Sequence, residues 1–331
     1  SFLTRIRCQI CFNNLDIQRT GGTASSTFGN LTVAGQLNST TTGWTLSAGT
    51  TTITVTGPSW LVAGTVTSTS GTLTFTGAVS STASIGSNSG NMLFSSTLQN
   101  NNLLQIGSGT VTTTGALTNA ASATIRNQAG VLSASGDFTQ SGTYTTSTSS
   151  IFRLSGAGNQ NITGSFWNNL ESQKTAGTAT IVTNNGVVTG QLNASSTGWT
   201  LTSAALNFTV TGNSWLGSGG TVTSTSGTLT FTGAVSSTGS LGTQTGVLGL
   251  VSTVQNNGTI NVGAGSFYNI LGSTATSSGA FTNAGTVTLT SGTMGLTSDF
   301  TQSSGAIFTG GTGTVRLADV NAQNFYINSG T

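Results

Sequence analysis

The chain has 331 residues, of which only 4% are charged, with a formal net charge of +2, no histidine, one proline and 48 glycines. A charged fraction so far below the ordinary value of about 25% leaves little electrostatic repulsion between molecules and favours association. The Gly/Ser/Thr-rich composition resembles a disordered segment, but hydrophobic residues reach 34% and alternate with polar ones, which excludes disorder as the reading.

Taken in chain order, residues 1–12 form the first predicted element, a long strand. Phe2, Ile6, Cys8, Ile10 and Phe12 fall on one face, with Arg5, Arg7 and Gln9 on the other. At about 3.3 Å per residue this strand would reach roughly 40 Å, too long for one side of a solenoid coil. Its apolar face needs a partner. It either caps its own first coil or inserts into a neighbouring molecule, where an added strand supplies main-chain hydrogen bonds to an open edge. Cys8 and Cys11 form a C-x-x-C pattern with no third or fourth ligand in the chain, so no zinc site within one subunit is expected. On an extended strand the two thiols point to opposite faces. Cys8 then packs as a small hydrophobe, and Cys11 is left for an intersubunit link.

From Asn13 onward the chain states one pattern twice. NNLDIQRTGGTASSTFGNLTVAGQLNSTTTGWTL returns from Asn168 as NNLESQKTAGTATIVTNNGVVTGQLNASSTGWTL, 155 residues on. TVTSTSGTLTFTGAVSST begins at Thr65 and again at Thr221, and Arg153-Leu154 answers Arg316-Leu317 at an offset of 163. The expected organisation is a connector strand over 1–12, a first repeat over 13–167 and a second over 168–331. Thr331 lies 163 residues beyond Asn168, so the second repeat stops in the phase at which the first begins.

Within each repeat the alternation is short and regular. Thr52-Ile53-Thr54-Val55-Thr56, Thr72-Leu73-Thr74-Phe75-Thr76, Thr228-Leu229-Thr230-Phe231-Thr232 and Thr286-Val287-Thr288-Leu289-Thr290 each place apolar residues on one face and threonine on the other, the mark of half-buried strands. Turn pairs such as Ser70-Gly71, Ser89-Gly90, Ser108-Gly109 and Ser141-Gly142 separate them, and no stretch reads as an amphipathic helix. The predicted class is all-β, a β-solenoid of short stacked strands. Coils of roughly 20 residues at about 4.8 Å spacing would give about 16 coils and a rod of roughly 75 Å. Two tandem β-sandwich domains are the alternative.

The segment Leu154-Ser-Gly-Ala-Gly-Asn-Gln-Asn-Ile-Thr-Gly-Ser-Phe-Trp-Asn-Asn-Leu170, with the GTVT and GALT strands around it, resembles the repeats of large secreted bacterial β-solenoid surface proteins, broadly the filamentous-haemagglutinin-like adhesins. The resemblance implies an extracellular or cell-surface, fibrous or adhesive role, and no chemistry.

The charged residues recur once per copy: Asp16 with Glu171, Asp137 with Asp299, Arg19 with Lys174 and Arg153 with Arg316. Recurrence points to residues that hold turns and rungs in register. Catalysis by a solenoid hydrolase or lyase needs grouped carboxylates or a carboxylate beside a base. Asp299 and Asp319, one coil apart with Arg316 nearby, are the best candidates, but the expectation is that the chain is not an enzyme. No calcium-binding cluster, phosphate loop or nucleotide motif appears, so no cofactor or metal is expected, and neither nucleic acid nor membrane insertion. The tryptophans also recur, Trp44 with Trp199 and Trp60 with Trp215, while Trp167 falls opposite Phe12. They are expected in core or corner packing, with a sugar-binding platform as the functional alternative. Asn-x-Ser/Thr sites such as Asn30, Asn193 and Asn207 are common by chance in so Ser/Thr-rich a chain.

The C-terminal stretch Asn321–Thr331 holds Phe325, Tyr326 and Ile327 without a cluster of charge. An uncapped solenoid end exposes unpaired backbone groups and apolar core, and a heterologous contact that does not close generates a filament. The expected function is therefore a structural subunit that polymerises with itself head to tail, Phe325, Tyr326 and Ile327 meeting the N-terminal strand of the next copy. The alternatives are a fragment of a long β-solenoid adhesin that touches a surface or glycan, and an ice-binding solenoid with stacked Thr-x-Thr rungs. The first residue is Ser, which suggests a mature product or a fragment.

Overall fold

The computed structural model describes residues 10–25, 29–164, 166–183, 185–262, 266–269, 280–317 and 322–328. Among them every regular element is a strand of two to six residues, and each described strand pair is parallel, as in Thr72–Phe75 with Asn91–Phe94 and Thr228–Phe231 with Val247–Leu250. Parallel stacked strands without helices make a β-solenoid. The sandwich alternative fails on this point, since sandwiches pair their strands antiparallel.

The chain divides into two compact units, residues 1–153 and 154–331. In the first, a coil consists of three strands around a narrow core, for example Thr65–Ser68, Thr72–Phe75 and Val79–Ser81. The next coil lays Ser84–Ser87, Asn91–Phe94 and Leu98–Asn100 upon them. One face of this unit is seven strands deep, from Gly22–Ser25 to Thr143–Thr146. The second unit repeats the scheme: Thr221–Ser224, Thr228–Phe231 and Val235–Ser237 carry Ser240–Thr243, Val247–Leu250 and Val254–Asn256. One of its faces is eight strands deep, from Phe166–Trp167 to Thr314–Leu317. Steps near 20 residues, such as Thr52 to Thr72, confirm the coil length read from the sequence. Ile260 to Val287 is a longer step.

Period-2 alternation decides which side chains enter the core. Leu73 and Phe75 are buried while Thr72 and Thr74 face out, and registry places Ile53, Leu73 and Met92 in one inward column and Val55, Phe75 and Phe94 in another. Identical parity on successive rungs brings like beside like. The Phe75 and Phe94 rings stack at 5.3 Å with planes 3° apart. At the far end of the first unit, Phe138, Tyr144 and Phe152 form an aromatic cluster with centroids 4.9 to 6.5 Å apart, and burial pushes the Tyr144 hydroxyl well above its ordinary pKa.

Polar side chains hold the corners. Asn14 and Asn30 accept hydrogen bonds from the backbone N–H of Gln36 and Thr52 in the next coil, at 2.9 and 3.1 Å. Asn169 and Asn207 do the same for Gln191 and Thr228 in the second unit. The hydroxyls of Thr76 and Thr232, each just after a T-L-T-F strand, donate to carbonyls of the preceding coil, Thr76 to Thr56 and Thr232 to Thr211, both at 3.1 Å. Inside the core an amide ladder runs along one column. Asn100 Nδ2 donates to Asn119 Oδ1 at 2.6 Å and to the Thr124 carbonyl at 3.1 Å. In the second unit Asn256 donates to Asn283 and Asn283 to Gln302, at 2.7 and 2.8 Å. A buried amide is tolerated only when its partners are present, so these ladders fix the stacking register.

Asn119→Ala strips Asn100 of its amide acceptor and leaves the Ala123 and Thr143 carbonyls without their side-chain donor. It should destabilise the first unit by about 2 kcal/mol, read as a lowered thermal midpoint by circular dichroism. An unchanged midpoint would show that the ladder is ornamental.

Candidate functional site

Three features are candidates for function: the charged groups, the terminal rungs and the exposed aromatic rings. Among the described residues no group of three or more His, Cys, Asp and Glu side chains converges. Asp299 spends its carboxylate on the last described strand, accepting from the Asn324 backbone N–H at 2.8 Å and from Asn324 Nδ2 at 3.4 Å. Its proposed catalytic companion Asp319 lies outside the described residues. Asp16 and Glu171, matched between repeats, each accept from the glutamine two residues on, Gln18 and Gln173, both at 2.7 Å. These carboxylates serve local structure.

Lys174 is the unexpected charge. It is fully buried in the second unit, and its ammonium donates to the Gly158 carbonyl at 2.6 Å and to Gln160 Oε1 at 3.0 Å. Its repeat counterpart Arg19 is exposed and donates to the Gly21 carbonyl. Both bond backbone at a turn, but only lysine has been drawn inside. Desolvation holds its pKa below the ordinary 10.5. Between that lowered value and 10.5 the unfolded chain binds the extra proton, so stability rises with pH through this window and levels off above it. Lys174→Met should flatten that slope, measured as thermal midpoint against pH; equal slopes in both proteins contradict the assignment.

Of the proposed contact residues, Phe2, Ile6 and Cys8 lie outside the described residues. The described part of the N-terminal strand, Ile10–Phe12, pairs in parallel with the chain's own Leu31–Val33, and it ends at Phe12, where the chain bends at Asn13. Ile10 aligns with Leu31 and Phe12 with Val33, on the core side, while Cys11 aligns with Thr32 and is an exposed free thiol. At the other end Phe325 aligns with the buried Phe300 and stacks on it at 4.6 Å, and Ile327 aligns with the buried Gln302. Tyr326 aligns with Thr301 and so faces outward, unlike its two neighbours. Ile10, Phe12, Phe325 and Ile327, and with them Leu317, stay about half exposed or more although their rungs' core columns run beneath them.

The tryptophans split into two kinds. Trp44, Trp199 and Trp167 are buried, as expected, and the first two make the same bond in each repeat, indole N–H to the Thr41 carbonyl at 2.8 Å and to the Ser196 carbonyl at 2.6 Å. Gly64 and Gly220 lie against these indoles, where an added Cβ would collide with the ring. Trp60 and Trp215 are not packed: they are 52% and 45% exposed. The expectation of core packing fails for this pair because Ser59 and Leu61, and likewise Ser214 and Leu216, take the inward positions of each three-residue strand. That parity is visible in Ser-Trp-Leu once Leu is assigned to the core.

Each exposed ring belongs to an outward column. In the first unit successive rungs place Asp16, Asn38, Trp60, Ser80, Gln99, Thr118 and Thr139 in line. In the second the line is Glu171, Asn193, Trp215, Ser236, Gln255, Thr282 and Thr301. Beyond Trp215 a shallow groove of about 490 Å³ spans four rungs and is lined by Asn213, Ser236, Gln255 and Thr282 together with alanine and valine surface. The paired threonines are shorter ladders: Thr178/Thr180, Thr200/Thr202 and Thr221/Thr223 stack in register before Ser240 and Gly242 interrupt them.

Comparison with protein-family models, curated proteins and solved structures finds no match to this chain.

Proposed function

We propose that the protein is a structural β-solenoid of an extracellular assembly, in which the terminal rungs are continued by another copy of the chain, head to tail. The observation that carries this reading is the state of those rungs. The Phe281, Phe300 and Phe325 rings stack in sequence, and the last keeps a half-exposed face; in the first unit Ile10 and Phe12 sit over the core columns of Leu31 and Val33 and are equally exposed. A further coil would bury these side chains and satisfy the outer edge of each rung at once. With 4% charged residues and a net charge of +2, little repulsion opposes the contact.

The extracellular placement rests on the resemblance to secreted repeat proteins. A non-catalytic role fits the engagement of Asp299, Asp16 and Glu171 in local bonds. Threonine pairs that persist for three rungs offer an ice lattice only a short template, which places ice binding behind the structural reading.

Sedimentation velocity over a range of concentrations, with electron microscopy of the same samples, tests the proposal. The native chain should form concentration-dependent linear oligomers, and Phe325→Arg with Ile327→Arg should abolish them while leaving the folded signal intact, since Phe325 is nearly half exposed and Ile327 more than half. A monomer at every concentration, or assembly indifferent to these substitutions, overturns head-to-tail growth.

A further inference from the structure

We infer that the outward columns centred on Trp215 and Trp60 bind a neutral glycan chain laid across the rungs, at Trp215 along the groove beyond the ring. This goes beyond the structural role and depends on none of its contacts, because the columns lie on the sides of the coils, not on their ends.

The argument begins with what an exposed tryptophan does for the fold. Trp60 and Trp215 leave about half their surface in water, where a large ring gains little from burial and a threonine would serve a strand as well. Yet both repeats keep it. They keep its surroundings too: Asn38/Asn193, Ser80/Ser236, Gln99/Gln255, Thr118/Thr282 and Thr139/Thr301 are the same residue in each copy, and Asp16/Glu171 keep the charge. Other outward lines keep a few residues, such as Thr67/Thr223 and Thr74/Thr230, but drift further along, Leu93 against Gly249, Gln105 against Asn261 and Arg126 against Thr288. Retention along all seven rungs of a line that carries an exposed indole marks a surface held for contact.

The chemistry of the line selects the partner. An indole face carries negative quadrupole density and suits the C–H face of a pyranose. Beside it the groove offers amide, hydroxyl, amide and hydroxyl on four successive rungs, from Asn213, Ser236, Gln255 and Thr282. These groups both donate and accept, as sugar hydroxyls do. Gln255 and Gln99 are already oriented, each donating to the asparagine two residues on, Asn257 at 2.9 Å and Asn101 at 3.0 Å. The groove lining holds no ionisable side chain, and the acid of each column, two rungs from the ring, opposes an anionic ligand. Four rungs at about 4.8 Å make a track of about 14 Å, open at its ends, which fits a chain polymer better than a small enclosed ligand.

Affinity electrophoresis in native gels containing dextran, hydroxyethylcellulose or yeast mannan tests the assignment, with the native chain compared to Trp215→Ala, Trp60→Ala, the double variant and Gln255→Ala. Retardation is expected in at least one neutral polysaccharide, unchanged by added salt, about tenfold weaker on loss of Trp215, and gone in the double variant. Far-UV circular dichroism and the thermal midpoint should stay as in the native chain. Native mobility in all three gels overturns the proposal, as does retardation that survives in the double variant or vanishes with salt. If the tryptophan substitutions instead alter sedimentation without any polysaccharide, the columns are protein contacts and the glycan assignment fails.

Discussion

Everything in this fold depends on parallel, in-register hydrogen bonding from one coil to the next. A strand of three or four residues has no stability of its own. Here Thr72–Phe75 exists because Thr52–Val55 lies on one side and Asn91–Phe94 on the other. Registry also fixes composition, since a rung displaced by one residue would send Leu73 and Phe75 into water and threonines into the core. The buried Asn100–Asn119 and Asn256–Asn283–Gln302 ladders penalise such a slip further, because a displaced amide would be buried without its partners.

Stacking has a consequence for function. A coil satisfies its neighbours on two sides, and in the outermost described coils the inward side chains stay about half exposed or more: Ile10 and Phe12 in the first unit, Phe325, Ile327 and Leu317 in the second. The long sides of the coils face water and are free to vary, which is why drift accumulates at Leu93/Gly249 and Arg126/Thr288. The side column carrying Trp60 and Trp215 keeps six of its seven residues between the repeats, and the seventh pair, Asp16/Glu171, keeps its charge. Ends and sides thus offer two independent kinds of contact, one by continuation of the core and one by surface chemistry.

Much of the architecture was legible in the sequence. The T-L-T-F alternation and the serine-glycine turns gave short strands, and a step of roughly 20 residues gave coils. Strand parity inside Ser-Trp-Leu is equally legible, and with serine and leucine inward it turns Trp60 and Trp215 to water, against the expectation that recurring tryptophans pack. Other features were beyond a one-dimensional reading. Burial of Lys174 follows from the shape of a turn that brings the Gly158 carbonyl and Gln160 to its ammonium, and its repeat partner Arg19 is exposed in the same sequence position. The outward turn of Tyr326, against Phe325 and Ile327, depends on which residue of a three-residue strand aligns with Phe300. The groove beside Trp215 needs four rungs in place before it exists.

Native-state hydrogen exchange, resolved by residue, tests the stacked-rung account most directly. If each amide is held by the adjacent coil, protection within the first unit should peak in its middle rungs, such as Leu73, Met92 and Val111, and fall toward Ile10–Phe12, with the outward threonine amides protected as well as the inward ones. Rapid exchange in those middle rungs, or protection confined to inward-facing residues, would contradict the coil-to-coil ladder on which the rest stands.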